Sequence, residues 1–74
     1  MRFDVALFAY QREQHGNSVT VEAEPTVPAV LSALSASGIA VDHCRMAVDE
    51  AIAESGQALS STSRLALIPP VSGG

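Results

Sequence analysis

The chain reads as one small α+β domain in which a mixed sheet of four or five strands wraps around a single main helix. Three observations predict this. Short runs of β-branched and aromatic residues stand at both ends and in the middle of the sequence, one segment between them carries helical spacing, and 74 residues with 47% apolar content suffice for one compact core. The order of these segments is β, β, α, β, β.

Residues 3–10 form the first expected strand, holding Phe3, Val5, Leu7, Phe8 and Tyr10. Strand side chains alternate, so Phe3, Val5, Leu7 and Ala9 should share the core face, with Asp4, Ala6, Phe8 and Tyr10 on the other. Residues 11–18 are polar and contain Gly16-Asn17, a turn pair tolerant of positive φ, and Val19-Thr20-Val21 follows with strand formers. A hairpin is expected.

Thr26 is placed to cap a helix, with Pro28 in its first turn where a missing N–H costs nothing. Val27, Val30, Leu31 and Leu34 fall in one stripe, and Gly38 is a stop signal. Residues 43–53 suggest a third strand through Met46-Ala47-Val48, a turn at Asp49-Glu50, and a short return through Ile52. Residues 54–63 read as a loop that Leu59 anchors to the core, and residues 64–68 as the final strand. The domain is therefore expected to span 1–68, with 69–74 as a tail.

Composition narrows the function. Eight acidic against four basic residues give a net charge of −4, and no basic cluster is present to neutralise phosphates, so nucleic acid is not an expected ligand. No apolar run approaches the roughly 20 residues of a membrane span. A single cysteine, Cys44, and an N-terminus without the charged and apolar regions of a signal peptide predict a cytoplasmic protein. A domain of this size buries only about 60% of its unfolded surface, which makes a frequent partner plausible.

The end of the chain carries the chemistry. Pro69-Pro70-Val71-Ser72-Gly73-Gly74 loses two ladder donors to its prolines and continues neither strand nor helix, so it should leave the domain as an extended arm. Six residues at about 3.3 Å each reach roughly 20 Å, enough to thread Gly74 into another protein's active site. Gly73 and Gly74 have no Cβ, so the arm passes a narrow channel.

Leu67-Ile68 followed by this arm resembles the C-terminus of the small subunit of molybdopterin synthase, the MoaD family. The likeness covers nearly the whole chain. Val5-Ala6-Leu7-Phe8-Ala9 with Arg12-Glu13 and Gly16 is similar to that family's first strand and turn, Thr26-Val27 with Val30-Leu31 and Leu34 to its helix, and Met46-Ala47-Val48-Asp49-Glu50 to its next strand. The family more often has Asn at the position of Asp49, and usually carries Gly-Asp-Glu where this chain has Thr62-Ser63-Arg64.

The resemblance implies a β-grasp, ubiquitin-like fold and a sulfur-carrier cycle. A MoeB-like adenylating enzyme would use ATP and Mg²⁺ to convert the Gly74 carboxylate to an acyl-adenylate, because a free carboxylate repels nucleophiles and has no competent leaving group, whereas AMP departs readily. A sulfur donor such as a cysteine desulfurase or rhodanese would then leave a thiocarboxylate. Within a heterotetramer of two large and two small subunits, that sulfur would pass to cyclic pyranopterin monophosphate. The small subunit is then a cosubstrate with no permanently bound cofactor, and the large subunit supplies the catalytic residues.

A tail needs a docking surface beside it, since its weak contacts must overcome the ordering entropy of binding. Phe8 and Ile68 fall on the sheet face opposite Leu7 and Leu67 and are the expected partner contacts, with Ile52 a weaker third. Alternation fixes the face and not the exposure, so a second small core under residues 54–63 is the competing reading. Arg12 is a partner contact by resemblance and an ordinary surface ion-pair residue by composition. Cys44 beside His43 does not form a nucleophile–base pair, because strand neighbours point to opposite faces, and His15 and His43 lack the spaced ligands of a zinc site. Two other classes stay open: a carrier resembling the thiamin-pathway protein, or serving another metabolite or joining Gly74 to lysines, and a β-grasp interaction module with an inert tail.

Overall fold

The computed structural model describes residues 1–54 and 56–70. Seven elements follow in order: β1 (Arg2–Leu7), α1 (Ala9–His15), β2 (Ser18–Glu22), α2 (Val27–Ala36), β3 (Arg45–Val48), β4 (Ala51–Ile52) and β5 (Leu65–Ile68). They build one five-stranded sheet in the order β2-β1-β5-β3-β4. The central pair β1 and β5 runs parallel, and the other pairs are antiparallel. This is the β-grasp arrangement, a mixed sheet holding α2 against one face.

The core is the alternate residues of the sheet meeting the apolar stripe of α2. Phe3, Val5 and Leu7 on β1, Val21 on β2, Met46 and Val48 on β3, and Leu65 and Leu67 on β5 are buried with Val30 and Leu34 of α2. Val27 and Leu31 pack at the edge of this cluster. Burying a side chain of this kind contributes about 1.5–3 kcal/mol.

α2 begins and ends where its sequence dictates. Thr26 Oγ1 accepts from the Ala29 N–H at 3.3 Å, and Pro28 occupies the first turn. At the other end Gly38 has a φ of 90°, its N–H donates to the Ser35 carbonyl, and the Ile39 N–H reaches back to the Leu34 carbonyl at 3.1 Å. This glycine-dependent closure puts Ile39 onto Leu34 in the core. Leu59 is buried as expected, and its N–H donates to the Pro25 carbonyl at 2.8 Å, fastening the long loop beside the start of α2.

The region after β1 corrects the sequence reading. The expected strand over 3–10 stops at Leu7, and residues 9–15 form α1 in place of a polar turn. Ala9 is therefore exposed and not a core-face residue. Ala, Gln, Arg and Glu are good helix formers, and they outweigh the aromatic strand signal of Phe8 and Tyr10 once the chain reverses at Ala9, whose φ is 54°. β1 and β2 do pair antiparallel, but α1 joins them, and Gly16 closes that helix at φ 94° instead of making a two-residue hairpin turn. Gln11 ties α1 to the loop after α2. It is buried, and its Nε2 donates to the Ala40 carbonyl and lies 3.5 Å from Cys44 Sγ.

Candidate functional site

The sheet face turned away from α2 has a floor of small residues. The strand registers put Ala6 opposite Ala66, Ala66 opposite Ala47, and Ala47 opposite Ile52, so three alanines and an isoleucine make one row across β1, β5, β3 and β4. Methyl side chains stand low, and larger residues rise around them. The result is a shallow apolar depression of about 500 Å³ rimmed by Phe8, Ile52, Ile68, Glu50 and Arg64.

Phe8 reaches this rim through backbone geometry. It sits between β1 and α1 with φ −135° and ψ 161°, extended like the strand before it, so its ring continues the alternation and points opposite to Leu7. Phe8 is 41% and Ile52 52% exposed, while Ile68 is half-buried. An exposed aromatic ring and two aliphatic side chains around one hollow are the composition of an interface core.

Three of the four expected contact residues therefore come together. Arg12 does not join them; it lies on α1, exposed, and outside the depression. The alanine floor and the Glu50–Arg64 rim escaped the sequence reading, although Ala6, Ala47 and Ala66 sit at alternating positions of strands already placed. Their signal was smallness at matched registers, which becomes visible only when the strand order is known.

Glu50 and Arg64 form an exposed ion pair at 4.0 Å. Asp49 and Glu50 make the two-residue turn of the β3–β4 hairpin with φ of 51° and 73°. Positive φ at both positions matches the twist of the sheet and ordinarily favours Asn or Gly, so a glutamate here holds its side chain at the rim against local preference.

Ile68, on the rim of the hollow, is also the last strand residue before the tail. β5 ends at Ile68, where Pro69 and Pro70 supply no N–H to extend the ladder; Pro69 is half-buried and Pro70 exposed. Val71, Ser72, Gly73 and Gly74, the expected reactive arm, lie outside the described residues. Among those described, no cluster of three or more His, Cys, Asp or Glu side chains is placed to hold a metal ion, and no helix is long and apolar enough to cross a membrane. Cys44 is half-buried, held between Gln11 and the Ala40 carbonyl, a packing position without a paired base.

A parallel β1–β5 centre, one helix across one face, an open apolar hollow on the other and a proline-led glycine tail together define a ubiquitin-like β-grasp protein of the carrier and modifier type. The chain belongs to the ThiS family, whose model matches residues 5–74. Among solved structures it is similar to the crystal structure of SAMP1 from Haloferax volcanii, with 30% identity, a TM-score of 0.73 and complete coverage of both chains. No curated protein matches the sequence.

Proposed function

We propose that this protein is the sulfur-carrying small subunit of a molybdopterin synthase, with Gly74 as the group that is activated, loaded and spent. The observation that carries the reading is the continuity of the family match through Gly74 with an apolar hollow at the root of the same tail. An adenylating partner would convert the Gly74 carboxylate to an acyl-adenylate with ATP and Mg²⁺, and sulfide from a donor protein would displace AMP to give the thiocarboxylate. The loaded tail would then enter the large synthase subunit, whose apolar surface covers Phe8, Ile52 and Ile68.

This division of labour suits the chain. A carrier needs a rigid scaffold, a slender end and a docking face, and it needs no catalytic acid or base of its own. Electrophilic activation belongs to the ATP-using partner, and proton transfer belongs to the large subunit.

Intact mass tests the reading. Incubation with an adenylating enzyme of the MoeB type, ATP, a persulfide donor and a thiol reductant, which cleaves the acyl disulfide formed when the persulfide displaces AMP, should add about 16 Da at Gly74 as sulfur replaces oxygen. Adding the large subunit and the cyclic pyranopterin should return the mass to its starting value and produce molybdopterin. Loading without transfer to the pyranopterin would assign the chain to another sulfur-carrier pathway, and a mass that never changes would leave an interaction module.

A further inference from the structure

Beside the apolar hollow, the base of the tail borders a second depression of about 450 Å³, lined by His43, Arg45, Ile68, Pro69 and Pro70. Among the described residues that line it, the ionisable ones are His43 and Arg45, both basic. Arg45 is directly opposite Ile68 in the β3–β5 register, so it flanks the last strand residue before the tail departs. His43 is exposed with φ 62°, a left-handed conformation in which histidine is several-fold enriched over most residues.

Position at the base of the tail sets this basic spot apart from the other one, Arg12 with His15 on α1. The chain has four arginines and no lysine. Arg2 pairs with Glu22 at 3.8 Å and Arg64 with Glu50 at 4.0 Å, whereas Arg12 on α1 and Arg45 on β3 have no ion pair among the described residues. Asp42 neighbours His43 in sequence yet makes no ion pair with it and does not line the depression. Of the two arginines without an ion pair among the described residues, Arg45 is the one that stands with a histidine at the root of the tail, while Arg12 stands with His15 on α1, outside this depression.

We infer that His43 and Arg45 form a cationic collar that seats carboxylates at the mouth of the protein receiving the tail, an inference that rests on the sulfur-carrier reading above. The geometry leaves little choice of location. If Gly74 lies about 20 Å inside a channel, Pro69 stands at its entrance, and the side chains flanking Pro69 face whatever rings that entrance. Acidic side chains there would attract the collar while an acidic chain as a whole would repel them, so the collar orients the carrier tail-first. Such an arrangement acts on encounter and register more than on chemistry, and it weakens as salt rises.

Two measurements test the collar. In steady-state loading of Gly74 by the adenylating partner, Arg45→Glu should raise the KM for the carrier about tenfold at low salt with kcat within about twofold, and should flatten the salt dependence of kcat/KM. Arg45→Lys should stay near wild type, and an unchanged thermal midpoint should show that the variants fold. Wild-type loading with an unaltered KM in Arg45→Glu, or a loss confined to kcat, would overturn the collar. If the wild type does not load at all, it is the sulfur-carrier reading that fails, and the collar is decided by NMR titration of the full chain with a hexaglutamate peptide at low salt. Shifts centred on residues 43–45 and 68 that vanish in Arg45→Glu support it; shifts spread elsewhere, or none, overturn it.

Discussion

The backbone N–H of Arg64 donates to Asp49 Oδ1 at 2.9 Å, and the Asp49 N–H donates back to the Arg64 carbonyl at 2.8 Å. This reciprocal clasp joins the turn after β3 to the residue that opens β5, and so fixes the end of the sheet from which Glu50 and Arg64 rise to the rim. Asp49→Ala removes the acceptor and places a Cβ-bearing residue without a compensating polar group at φ 51°. The expected loss is about 1–2 kcal/mol. Asp49→Asn keeps an acceptor oxygen and tolerates left-handed backbone, and should stay within about 0.5 kcal/mol of wild type. Urea denaturation of the two variants separates the clasp from the charge: equal losses would show that the carboxylate's charge, and not its acceptor geometry, holds Arg64.

Glu50 offers the opposite sign. Its φ of 73° disfavours any side chain, and its ion pair with Arg64 is exposed and long. An exposed pair of that kind contributes at most about 1 kcal/mol. Glu50→Gly is therefore expected to leave stability unchanged or raise it by up to about 1 kcal/mol, while it strips one charged wall from the hollow. A rise in the thermal midpoint together with weaker partner binding would place Glu50 among residues retained for recognition. A clear drop in midpoint would mean that the Arg64 pair outweighs the backbone strain.

Neighbours on one strand should separate folding from docking. Leu7 is 1% exposed in the core, and Phe8, the next residue, is 41% exposed on the other face. Leu7→Ala should cost about 2–5 kcal/mol by removing buried methyl groups and leaving a cavity. Phe8→Asp should leave the unfolding midpoint nearly unchanged and, on the function proposed above, weaken binding of the proposed large-subunit partner by about 2 kcal/mol or more, because a charge would be buried against an apolar surface. Calorimetric titration with a midpoint control measures both. A stable Phe8→Asp that binds normally would remove the hollow from the docking surface.

That same pair shows how far the sequence could be read. Alternation along β1 carries the core face from Phe3 to Leu7, and it correctly turns Phe8 outward, because the pleat persists through the extended residue that precedes α1. It fails one residue later. Ala9 breaks the pleat with a left-handed φ, a tertiary choice that no local pattern announces, and α1 then takes residues that read as polar turn. Thr26, Pro28 and Gly38 were legible because capping is chemistry within four residues. The hollow was only half legible, since its aliphatic rim follows from parity but its floor depends on Ala6, Ala66 and Ala47 meeting across three strands. Gln11 was silent, because nothing in its neighbourhood says that its amide will reach Ala40 twenty-nine residues away.

The tail gives the last prediction. Among the described residues, every member of the buried core lies between Phe3 and Leu67, so the stability of the domain should not depend on Gly74. Deleting Gly74, or appending one alanine after it, should leave the thermal midpoint within about 1–2 °C, a shift smaller than the 4–8 °C that accompanies each kcal/mol in a domain of this size. Sulfur loading, in contrast, should vanish in both variants: deletion draws the carboxylate back by about 3.3 Å from where the adenylating site holds ATP, and extension pushes it past by as much. A misplacement of a few ångströms is large against the near-contact distances that in-line attack requires. Intact mass after incubation with the activating partner reads the loading, and a thermal melt reads the fold. Loading that survives the extension would locate the reacting carbonyl by something other than chain length, and a midpoint that falls by many degrees would show that Gly74 belongs to the folded domain and is not available to a partner.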